Sequence, residues 1–90
     1  MIYLKHKHSS KVYIIDSTHE YELDLHSLKE TRRNLYGIRT PNRKKDTENY
    51  SILSRVQLLK YIQKSNFQIS SEVQNLLNVQ LKITFQYQLL

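Results

Sequence analysis

Apolar and polar residues alternate with a period of two at the start of this chain. Over residues 2–8, Ile2, Leu4, His6 and His8 fall on one side and Tyr3, Lys5 and Lys7 on the other, which is the repeat of a β-strand. Ser9 and Ser10 make a short polar connection. Residues 12–15 form a brief apolar run that predicts a second strand, ended by the turn-forming Asp16, Ser17 and Thr18. The alternation is cleaner over residues 20–25, where Tyr21, Leu23 and Leu25 interleave with Glu20, Glu22 and Asp24. That pattern predicts a strand with one buried face and one wet, acidic face, and with the first two it predicts an antiparallel meander.

The period then changes. Ser27 followed three residues later by Glu30 has the form of a capping box, Leu28, Thr31 and Leu35 recur at helical spacing, and Gly37 stands where a left-handed C-terminal cap is wanted. A helix over 28–36 is expected. Residues 38–47 hold the single proline, Pro41, and show no apolar period, so they predict a mobile basic loop. Asp46 or Asn49 can cap a second helix whose stripe is Ile52, Val56, Leu59 and Ile62, widened by Leu53, Leu58 and Tyr61 and ending near Ser65. Ser70 or Ser71 can cap a third, short helix carrying Val73, Leu76 and Leu77. Over residues 81–89, Leu81, Ile83, Phe85, Tyr87 and Leu89 alternate with polar residues, a strand that must join the N-terminal sheet or pair with another chain.

The expectation is therefore one α+β domain over 1–90, ordered β-β-β-α-α-α-β: a three-stranded antiparallel meander, two to three helices on one face, and a C-terminal strand completing the sheet. No internal repeat, low-complexity tract or second domain is visible. Ninety residues at 39% hydrophobic content support one core, with a net yield of roughly 3–5 kcal/mol at this size, so a homodimer through the C-terminal strand would supply useful further burial. There is no cysteine, which excludes disulfide staples and thiolate metal sites and favours a reducing, cytoplasmic setting. Charged residues interrupt the first 25 positions, so neither a signal-peptide core nor a membrane span is expected there.

Charge sharpens the picture. The formal net charge is +6, a field that attracts polyanions and acidic protein surfaces alike. Seven of the fourteen basic residues lie between positions 29 and 45: Lys29, Arg32, Arg33, Arg39, Arg43, Lys44 and Lys45, with Glu30 as the sole acid among them. A capped helix leading into a flexible basic loop would lay guanidinium forks along phosphates, and Tyr36 and Tyr50 beside it would stack on unpaired bases. Simple solvation of a proline-containing loop produces the same composition. No helix-turn-helix, zinc-finger, RNA-recognition or GXXG signature accompanies it, so contact would be mostly to backbone, salt dependent and poor in sequence discrimination.

Other chemistry is thinly represented. His6 and His8 share an expected strand face and His19 and His26 bracket the third strand, but H-x-H is a weak metal signal. No phosphate-cradling glycine loop, nucleophilic cysteine or H-E-x-x-H is present, and no cofactor is implied. One enzymatic route stays open, metal-independent RNA cleavage by His19 or His26 with Arg32, Arg33 and Tyr36, if these converge. Most of the seven tyrosines fall in or beside expected elements, where ring packing with a hydroxyl in water is the simplest role. Two functions compete. The first is a small basic nucleic-acid-associated protein using Lys29, Arg32, Arg33, Tyr36, Arg39, Arg43, Lys44 and Lys45 against phosphates. The second is a protein-binding module, a compact inhibitor or assembly factor of the kind mobile elements encode, docking the same surface on an acidic partner.

Overall fold

A computed structural model describes residues 1–35 and 45–78. The expected meander is present. Strands β1 (Ile2–His6), β2 (Lys11–Ile15) and β3 (His19–Asp24) pair antiparallel in sequence order. Local side chains set the turns: Asp16 Oδ1 accepts the backbone N–H groups of Thr18 and His19 between β2 and β3, and Lys11 N–H bonds to Ser9 Oγ between β1 and β2.

Two further strands extend the sheet, β4 (Lys29–Asn34) beyond β3 and β5 (Tyr50–Leu53) beside β1, giving the order β4-β3-β2-β1-β5 with every pairing antiparallel. Helices α1 (Arg55–Lys64) and α2 (Ser71–Leu77) follow. The class is thus α+β, the described residues forming a five-stranded antiparallel sheet with two helices.

Register decides which side chains meet the helices. Pairings of Val12 with Leu23, Ile14 with Tyr21, and Tyr3 with both Ile14 and Leu53 place these six residues on one face. Against them pack Leu58 and Ile62 of α1, Val73 and Leu77 of α2, and Phe67 and Ile69 from the connection between the helices. Burying each such aliphatic side chain stabilises by about 1.5–3 kcal/mol. On the opposite face Leu4 and Tyr13, a cross-strand pair, are buried as well.

The helix expected over 28–36 is not formed in its described part, residues 28–35, where β4 takes up Lys29–Asn34. The Asp24 carboxylate accepts the N–H groups of His26 and Ser27, Leu28 N–H bonds to Asp24 O, and Leu28 takes φ 60°, so the chain reverses instead of coiling. The apparent capping box dissolves because Glu30 Oε1 accepts from Ser70 N–H, forty residues on. A weak apolar stripe of three residues gave the helix little to bury, whereas a strand satisfies the backbone edge of β3. Gly37 lies outside the described residues, as does the C-terminal strand expected over 81–89, and with it the expected dimer contact.

The second helix starts later than expected. Ser54, not Asp46 or Asn49, is its N-cap, with a reciprocal capping box to Gln57, and Ile52 and Leu53 belong to β5. Asp46 instead organises the turn into β5 by accepting from the Asn49 backbone and side-chain amides. Ile52 and Val56, each 59% exposed, therefore drop out of the predicted stripe, while Leu58 and Ile62 carry the burial. The end at Ser65 matches, and α2 is capped by Ser70 as anticipated.

Candidate phosphate-binding cleft

The strand geometry of residues 29–34 separates cations that are neighbours in the chain. Arg32 pairs across the ladder with the buried Tyr21 and lies on the helix-covered face, where its Nη1 bonds to both Glu72 carboxylate oxygens at 2.9 and 3.2 Å. Arg33 points to the opposite face and meets Glu20 at 3.3 Å, a carboxylate that is itself buried rather than on the expected wet strand face. The Tyr21 hydroxyl donates to Glu72 as well. The phenol is pushed up to about 12, by burial first and then by that bond, and the Glu72 carboxyl is held below its usual range by the Tyr21 hydroxyl and then by Arg32. Both arginines thus hold structural carboxylates.

Of the other expected phosphate ligands, Lys29 and Lys45 are exposed, and Tyr36, Arg39, Arg43 and Lys44 lie outside the described residues. The histidines do not converge either. His19, at 6.1 Å from the Tyr21 ring, and His26 stand at opposite ends of β3, and Arg32 and Arg33 occupy opposite faces, so these four do not assemble as one acid-base centre. Among the described residues no three His, Asp or Glu side chains gather as a metal ion would require.

Cations do converge elsewhere. Helix α1 carries Arg55, Lys60 and Lys64 and no acid. Arg55 is committed to structure, its Nε and Nη2 donating to Leu77 O at 3.1 and 2.8 Å at the end of α2. Lys60 and Lys64 project one helical turn apart beside the exposed Tyr61, and none of Lys5, Lys60 and Lys64 is ion-paired among the described residues.

Two open hollows meet at this point. One, of about 350 Å³, is lined by Leu53, Gln57, Lys60, Tyr61 and Lys64. The other, of about 420 Å³, is lined by Lys5, Ser10, Leu25, His26, Tyr61, Lys64 and Ser65. Tyr61 and Lys64 are common to both. The Lys5 ammonium lies 6.0 Å from the Tyr61 ring centre and donates to His6 O and Ser9 O, which leaves one of its three N–H groups for a ligand. A carboxylate does neighbour this cleft: Asp24 accepts the Ser10 hydroxyl at 2.8 Å. That bond, with the Ser27 N–H, holds the acid down to about 2, so it stands ionised beside the cleft with the turn's own donors on its Oδ1.

This site was legible only weakly. The relevant signal is the absence of any acid over residues 49–71, a stretch that includes Lys60, Tyr61 and Lys64 but is less densely basic than the run at 29–45. No family model matches the chain, and no curated protein and no solved structure matches it either.

Proposed function

We propose that this protein is a small basic nucleic-acid-associated binding protein that grips the phosphate backbone with Lys5, Lys60 and Lys64 around Tyr61. One observation carries the reading: three lysines without carboxylate partners among the described residues rim two adjoining hollows that share a part-exposed aromatic ring. An ammonium on a flexible stem serves as a point-charge ligand for phosphate, and three of them concentrate a positive potential that the ionised Asp24 beside the second hollow offsets only in part. Lys29 and Lys45, exposed elsewhere on the surface, add to long-range attraction. Arg32 and Arg33 do not, because their carboxylates already hold them.

Affinity for a labelled oligonucleotide, measured as salt is raised, tests this. Each phosphate contact to a single strand contributes about 0.7 to the log–log slope, so replacing Lys5, Lys60 and Lys64 by Gln lowers the slope by about 2, while Arg32→Gln leaves it unchanged. An unchanged slope in the triple variant overturns the reading. Binding that ignores salt altogether does so too, and favours docking on a protein partner.

A further inference from the structure

We infer that the hollow between Leu53 and Tyr61 seats an unpaired nucleobase, so that the protein selects single-stranded nucleic acid over duplex; this rests on the phosphate-binding reading above. The lining is what a base requires. Tyr61, 36% exposed, supplies a ring, Leu53 an apolar surface, and Lys60 and Lys64 place ammonium groups along the same rim. Lys60 and Lys64 are four residues apart and share one stripe of α1, and Tyr61, three residues before Lys64, lies on the neighbouring stripe. Cationic groups beside an aromatic ring are the arrangement by which proteins track a single strand, phosphates on the charges and bases on the ring.

Polar complementarity is present as well. Gln57 lines the hollow, and its Oε1 is engaged by the Ser54 N–H at 2.8 Å in the capping box. What remains of that amide is its NH₂ group, a donor suited to the carbonyl oxygens and ring nitrogens on base edges. The second hollow, with Lys5, His26 and Lys64 on its walls, is placed to take the adjoining phosphate.

A duplex cannot use this site in the same way. Its bases present only edges in the grooves, their faces being stacked on one another, and its phosphates lie on a convex cylinder. A concave hollow of about 350 Å³ admits a base only when it is splayed out of a stack. Duplex binding would therefore draw on the lysines alone.

The experiment is fluorescence anisotropy with a labelled twelve-nucleotide pyrimidine strand and with the duplex of the same length, at one fixed salt concentration. Wild type is expected to bind the strand more tightly than the duplex. Tyr61→Leu is expected to weaken the strand by about 5-fold to about 150-fold, the range that loss of one base–aromatic stack produces, and to weaken the duplex far less. Tyr61→Phe is expected to retain strand binding, because the ring and not the hydroxyl is required. The ring is nearly two-thirds covered, so circular dichroism melts of both variants are compared with wild type, and the strand-to-duplex affinity ratio, which a smaller folded fraction does not change, carries the test. Equal binding of strand and duplex, both unaffected by Tyr61→Leu, overturns the single-strand preference while leaving the phosphate reading intact. If wild type binds neither probe, the phosphate reading fails and this inference falls with it.

Discussion

Replacing Tyr21 by Phe removes one oxygen from a ring that is 3% exposed and leaves its packing otherwise intact. That oxygen joins the sheet to α2, because it donates to the Glu72 carboxylate that Arg32 also holds at 2.9 Å. Hydrogen bonds to charged groups contribute about 1.5–3 kcal/mol net. The acceptor is half exposed and regains water once the hydroxyl is gone, so the cost of Tyr21→Phe should fall near the low end, about 1–1.5 kcal/mol. In a domain of this size that lowers Tm by about 4–12 °C.

The pH dependence has a definite sign on each side. The Glu72 carboxyl is held below 4.5, so its contribution is present above that value and fades as pH falls further and the acid protonates. The Tyr21 phenol is raised from 10.0 to about 12, so its contribution is complete below pH 10 and is lost as pH climbs through 12. Urea unfolding of wild type, Tyr21→Phe, Glu72→Gln and the double variant, at neutral pH and at about pH 3, measures all of this. The penalty of Tyr21→Phe should shrink at the acid pH and in the Glu72→Gln background. A Tyr21→Phe variant as stable as wild type at neutral pH, or one whose penalty is the same with and without Glu72, would refute the assignment of this bond as a tie between sheet and helix.

Two further outcomes follow from the core and the turns. Leu58→Ala should cost about 2–5 kcal/mol in urea unfolding, since Leu58 is fully buried, whereas Val56→Ala, on a side chain 59% exposed, should stay within about 0.5 kcal/mol; equal costs would restore the predicted stripe. Leu28→Gly should raise stability by about 0.5–1 kcal/mol, because Leu28 holds φ 60° while 53% exposed and loses little packing, and a lower Tm would show that the turn depends on the side chain.

The sequence disclosed those elements whose local pattern agrees with their tertiary surroundings. The meander was readable because β2 is a short apolar run, buried at Val12, Tyr13 and Ile14, and β3 buries Tyr21 and Leu23 at alternate positions, and α2 because Ser70 caps it and Val73 and Leu77 share a face. Strand β4 was not, since Lys29–Asn34 is polar on both sides, as suits a sheet edge, and Ser27 with Glu30 imitates a helix start. Phe67 and Ile69 enter the core from a connection whose apolar residues follow neither a helical nor a strand period over enough residues to predict an element. Linear charge density does not become one continuous surface at Arg32 and Arg33, because the pleat sends them to opposite faces, each to a carboxylate remote in sequence or across the ladder. Lys5 joins Lys60 and Lys64 through the packing of α1 beside the β1–β2 hairpin, a proximity that only the fold creates.

The most direct measurement is an amide nitrogen–proton correlation spectrum of the labelled protein titrated with a single-stranded oligonucleotide. Shifts that saturate together at Lys5, Ser10, His26, Gln57 and residues 60–65 would place the phosphates on the rim of the two hollows, as the account requires. Shifts confined to residues 29–34, with the Lys60 and Lys64 amides unmoved at saturation, would contradict it.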